Sequence, residues 1–120
     1  MGGFIGGASK FAKVAGVVSY VVTGGNFIYE LVSDKSYVNQ ITHQVFGSYY
    51  TASNFNYMLA NFVAYGAITK DLIDNGIVTY KTSWGNVKDV KVDWDKFDKY
   101  FQNLGVTPAE VATYVGLSQW

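Results

Sequence analysis

Residues 51–76, TASNFNYMLANFVAYGAITKDLIDNG, keep one period for longer than any other part of the chain. Phe55, Met58, Leu59, Phe62, Tyr65 and Leu72 fall on one side of a 3.6-residue helix. The only charges, Lys70, Asp71 and Asp74, come in its last turns. Thr51 or Ser53 can cap its start, and Asn75-Gly76 offers the left-handed residue that stops it. Ala60, Ala64 and Ala67 lie on the opposite side, small enough for a second helix to approach closely. The pattern predicts a long central helix over 51–75, covered on more than one side. No motif for chemistry lies on it.

Upstream, residues 1–25 read MGGFIGGASKFAKVAGVVSYVVTGG. Lys10 and Lys13, the apolar run 14–22 and the small residues Thr23-Gly24-Gly25 have the layout of a signal sequence. The apolar run falls well short of the about 20 residues that span a bilayer, and extending it back to Phe4 takes in both lysines. Small residues recur at four-residue spacing: Ala8, Ala12 and Gly16 share one helix face, and so do Gly3 and Gly7. Such spacing lets two helices meet backbone to backbone. Phe4, Ile5, Phe11, Val14, Val18 and Val22 cover much of the remaining circumference, and a helix apolar almost all round is buried in protein or in lipid. The segment 1–25 is therefore expected to be an apolar, Gly-rich helix that contacts other subunits. Gly3, Gly7, Ala8, Ala12, Gly16, Phe4, Phe11 and Val18 are its candidate self-association residues, with lipid contact through 1–22 as the alternative. A buried strand over 17–22 is a further, lesser option, because β-branched runs favour strands.

After Gly24-Gly25, Asn26 can cap a short helix to Ser33, and Ser36 another over 37–46 with Val38, Ile41 and Val45 on one side. Beyond Gly76 the period changes to two. IVTYKTSW and VKDVKVD flank Gly85-Asn86, which predicts a β-hairpin near 77–92. Turning there would set Trp84 opposite Val87 and Lys81 opposite Val90. An isolated two-stranded ribbon is marginal in water, so it must lie on helices or gain a strand from a neighbouring chain; its Thr and Lys residues favour the helices. Asp93 caps a helix with Trp94, Phe97, Phe101 and Leu104 on one stripe, ended by Gly105. Thr107, Pro108 and Glu110 then form a complete start signal, a capping box with Pro at the first helical position, and Val106 and Val111 are spaced as its hydrophobic staple. The expected fold is mainly α (α+β), with about five to six helices around 51–75 and one hairpin. A length of 120 residues suits a single domain, 1–120.

Composition narrows the function. Charged residues make up 15% of the chain, against about 25% in typical soluble domains. Net charge is zero and Arg is absent, which argues against a nucleic-acid reader, whose usual means are a basic face and bidentate guanidinium contacts. A surface of low charge, rich in Tyr, favours association. With no Cys there is neither a disulfide framework nor thiolate chemistry. His43 is the only histidine, and no nucleophile-elbow or phosphate-loop motif accompanies it. Asp89, Asp93, Asp95 and Asp98 form an acidic run interleaved with Lys88, Lys91, Lys96 and Lys99. The run reads as a capped, solvated helix start, so no metal site is expected, Asp93 and Asp95 being the nearest approach to one. Residues 97–120 resemble a helix-turn-helix at the level of helix, LGVT turn and helix. The resemblance implies a DNA-reading second helix, but that helix offers Ala109, Glu110, Ala112 and Thr113, and no Lys or Arg follows Lys99. We therefore expect a plain helical corner, no cofactor and no catalytic residues. The function expected is a non-enzymatic, self-assembling structural subunit of virion-coat or filament type, with copies of itself as partners. The alternatives are a small membrane-associated protein anchored by 1–22 and a ligand-binding module or enzyme with a Tyr/Trp-lined pocket.

Overall fold

The structure is a computed structural model that describes residues 10–23, 36–49 and 55–118, the side chains of 55–59 and 116–118 excepted. Among the described residues there are five helices and one antiparallel hairpin: α1 (Ala12–Val22), α2 (Tyr37–Phe46), α3 (Phe55–Asp74), β1 (Val78–Ser83), β2 (Asn86–Val92), α4 (Trp94–Leu104) and α5 (Glu110–Ser118). This is the mainly helical α+β arrangement that the sequence predicts. The 17–22 segment is helix. The helix expected over 26–33 and the caps Thr51 and Ser53 lie outside the described residues.

Local chemistry sets the element ends. Ser36 Oγ accepts the Asn39 N–H at 3.2 Å, and Asp93 Oδ1 accepts that of Lys96 at 3.2 Å, each filling an orphan donor of a first turn. At the end of α3, Gly76 turns left-handed (φ 72°), Ile77 N–H reaches Leu72 O at 2.9 Å and Gly76 N–H reaches Ile73 O at 3.0 Å. That pair of bonds satisfies the last carbonyls of the helix. Before α5, Glu110 N–H donates to Thr107 Oγ1 at 3.3 Å and Thr107 N–H to Glu110 Oε1 at 3.0 Å, the reciprocal capping box. Val106 and Val111 are both buried beneath it.

The core gathers around α3. Residues 64–69 are all buried, so this helix is enclosed on every side there, and Leu72 is buried one turn further on, while Lys70 and Asp74 reach solvent. Helices α1, α2 and α5 and strand β1 pack on it. One apolar cluster draws on all seven elements and centres on Phe46, whose ring lies 5.2 Å from Tyr65, 6.0 Å from Phe97 and 6.2 Å from Phe101. Two buried polar side chains bond to backbone carbonyls: Thr69 Oγ1 donates to Tyr65 O at 2.8 Å, and the Tyr65 hydroxyl to Pro108 O at 2.6 Å. Asn61 Oδ1 is buried with no hydrogen-bond partner among the described residues.

The hairpin departs from its expected register. Its partners are Ser83↔Asn86, Thr82↔Val87 and Lys81↔Lys88, so Trp84-Gly85, not Gly85-Asn86, forms the two-residue turn. Both turn residues have positive φ, 54° at Trp84 and 79° at Gly85, as a type I′ turn requires. Past Lys81 the register shifts by one, to Thr79↔Lys91 and Val78↔Val92. Asp89 and Val90 together face Tyr80, a bulge whose first residue, Asp89 (φ 53°), takes the left-handed place that Gly usually fills. The shift keeps Val78, Tyr80, Val87, Val90 and Val92 on the side facing the helices. Two helices support the ribbon, and Gln40 of α2 grips its tip: Nε2 donates to Gly85 O at 3.1 Å, and Oε1 accepts from Val87 N–H at 2.8 Å.

Candidate self-association surface

Helix α1 has two unlike faces. On the inner one Phe11, Val14 and Val21 are buried, and Val17, Val18 and Val22 are half-buried against the core and against Ala67 of α3. Phe11 stacks at a tilt on Tyr114, 5.8 Å between ring centroids. Two lysines fasten the start of the helix: Lys13 Nζ donates to Asn103 O at 2.8 Å near the end of α4, where helix carbonyls favour a cation, and Lys10 pairs with Glu110. The Lys10 ammonium and the Thr107 N–H hold the Glu110 carboxyl below its ordinary range.

The outer face carries Ala12, Ala15, Gly16, Ser19 and Tyr20, all exposed. A Cβ added at Gly16 would touch nothing, and Tyr20 is 78% exposed. Of the residues expected to mediate self-association, Ala12 and Gly16 therefore lie on an open strip of small side chains. Phe11 is taken up by the chain's own core, and Val18 is half-buried beside it. Gly3, Phe4, Gly7 and Ala8 lie outside the described residues. Sequence reading passed over Ala15, Ser19 and Tyr20, although all three lie at i+3, i+4 or i+7 from Ala12 or Gly16, the spacing of one helix face.

Elsewhere polar groups serve the fold. Asp93 caps α4, and Asp95 is exposed in its first turn. Among the described residues no group of three or more His, Cys, Asp or Glu side chains converges as a metal site. His43 is exposed on α2, its ring 5.4 Å from that of Phe62. An open depression of about 520 Å3 between α3 and α4 is lined by Asp71, Lys96, Lys99 and Tyr100. There the Tyr100 hydroxyl donates to Asp71 Oδ2 at 2.8 Å, and burial, reinforced by that carboxylate, raises its pKa far above the usual phenol value. A phenol so held stays protonated, the opposite of what a nucleophile or base needs. No described helix is long and apolar enough to cross a membrane.

The chain matches no protein-family model, no curated protein and no solved structure.

Proposed function

We propose that this protein is a non-enzymatic structural subunit that assembles with copies of itself, as a building block of coat or filament type. The observation that carries this reading is the outer strip of α1. It is a run of Ala, Gly and Ser on a rigidly docked helix, flanked by an exposed Tyr20. A strip of this kind lets a second helix come close, and Tyr contributes contact area at low entropic cost. The 15% charge content and zero net charge lower the electrostatic barrier to such contact.

Gly16→Leu separates assembly from folding. The new side chain enters open space, and replacing Gly inside a helix favours the folded chain by up to about 1 kcal/mol. Light scattering at micromolar concentration should show large species for the wild type and much smaller ones for the variant, with helicity unchanged. Equal particle sizes would move the seam away from α1, and a wild type that scatters as a monomer would end the proposal.

A further inference from the structure

We propose that the hairpin is a docking element for an anionic membrane surface, with Trp84 entering the interface and Lys81 and Lys88 meeting the lipid phosphates behind it. Three independent features of the ribbon meet at its tip. Trp84 is 98% exposed, although it is one of the largest apolar side chains in the chain. It also occupies a left-handed turn position, φ 54°, where Asn, Asp or Gly sit at far lower conformational cost. A sequence shaped only for hairpin stability would keep Trp out of that position; backbone strain of this kind marks places where the side chain itself is needed.

The second feature is charge. Lys81 and Lys88 are direct cross-strand partners on the solvent face, and Lys91, paired with Thr79, follows on the same side. Like charges placed opposite one another destabilise a ribbon, and none of the three lysines forms an ion pair among the described residues. The hairpin holds three lysines against the single Asp89, in a chain whose net charge is zero. The third feature is rigidity. Gln40 holds both the carbonyl of the turn and the amide just after it, so Trp84 is presented by a fixed arm.

The order of these groups selects the partner. An aromatic side chain stands at a convex tip, uncharged Ser83, Gly85 and Asn86 come next, and the lysine pair follows about 10 Å behind. Amphipathic Trp prefers the headgroup level of a bilayer, and lysines near an anionic leaflet bind its phosphates. A single-stranded nucleic acid would instead call for a groove with several stacking platforms along it.

The test uses the full chain and flotation with vesicles, either of phosphatidylcholine mixed with phosphatidylserine or of phosphatidylcholine alone, since self-assembled particles without lipid do not float. The wild type should float with the mixed vesicles only, less so as salt rises. Lys81→Gln/Lys88→Gln should lower partitioning about 30-fold, and Trp84→Asn, which suits the turn, about tenfold. In a W94F/W120F background, Trp84 emission should move to the blue when mixed vesicles are added. The proposal fails if the wild type does not float with the mixed vesicles, if binding survives both variants, or if poly-uridine binds in preference to vesicles through the same residues.

Discussion

The middle of α3 and the tip of the hairpin treat aromatic side chains in opposite ways. Phe46, Tyr65, Phe97 and Phe101 are buried ring against ring, and the Tyr65 hydroxyl is bonded to Pro108. At Trp84 the ring faces only solvent, the backbone is left-handed, and the nearest charges repel one another. The first region accounts for stability. The second lowers it, and a feature retained against stability points to contact with something outside the chain. Helix α1 shows the same division across its own width, Val14 inward and Tyr20 outward.

Mutation can break or sharpen this contrast. The largest effect belongs to Phe46→Ala, which empties the meeting point of four rings and should cost about 3–5 kcal/mol in denaturant unfolding; a loss under about 1 kcal/mol would mean the cluster is not the centre of the core. Tyr65→Phe removes the hydroxyl bond to Pro108 O, which keeps only the longer Val111 N–H at 3.4 Å, an expected loss of about 0.5–1.5 kcal/mol by the same measurement. Trp84→Asn should go the other way, raising stability by roughly 1 kcal/mol because Asn accepts positive φ more readily. Destabilisation by that change would show that the exposed ring supports the fold after all.

The smallest effect concerns Lys10 and Glu110. The Glu110 carboxyl titrates lower in the folded chain than in the unfolded one. Its contribution is thus complete above the ordinary carboxylate pKa and disappears as pH falls through the lowered folded value. Thermal unfolding of wild type and Glu110→Gln should differ at about pH 7 and converge as pH falls below the ordinary carboxylate value. A gap independent of pH would mean that the capping bonds matter and the charge does not.

Features set by near neighbours in the chain were legible from residue type alone. Ser36, Asp93 and the Thr107–Glu110 box stand at helix starts, and Gly76 and Gly105 at helix ends, because capping depends on residues within one turn. The hairpin register was not legible. Asn is a better turn former than Trp, so Gly85-Asn86 looked like the turn, and tertiary contacts from Gln40 decided otherwise. The bulge was hidden because Asp89 stands where Gly would have signalled it. Phe46 escaped notice as the core's centre since it closes α2 immediately before Gly47, outside the Val38–Ile41–Val45 stripe. Trp94 fitted the apolar stripe of α4, yet it is 60% exposed, meeting Phe97 edge-on at 5.0 Å, since the first helical position projects beyond the core. For α1, periodicity identified a small-residue face; which face the core would take depended on Phe11, Val14 and Val21 meeting α3 and Tyr114, far away in sequence.

Sedimentation velocity of the wild-type chain over a dilution series from micromolar downwards addresses self-assembly most directly. The account expects fast-sedimenting species that dissociate on dilution and that Gly16→Leu removes. A single boundary at the 13.2 kDa of one chain, unchanged at every concentration, would contradict it.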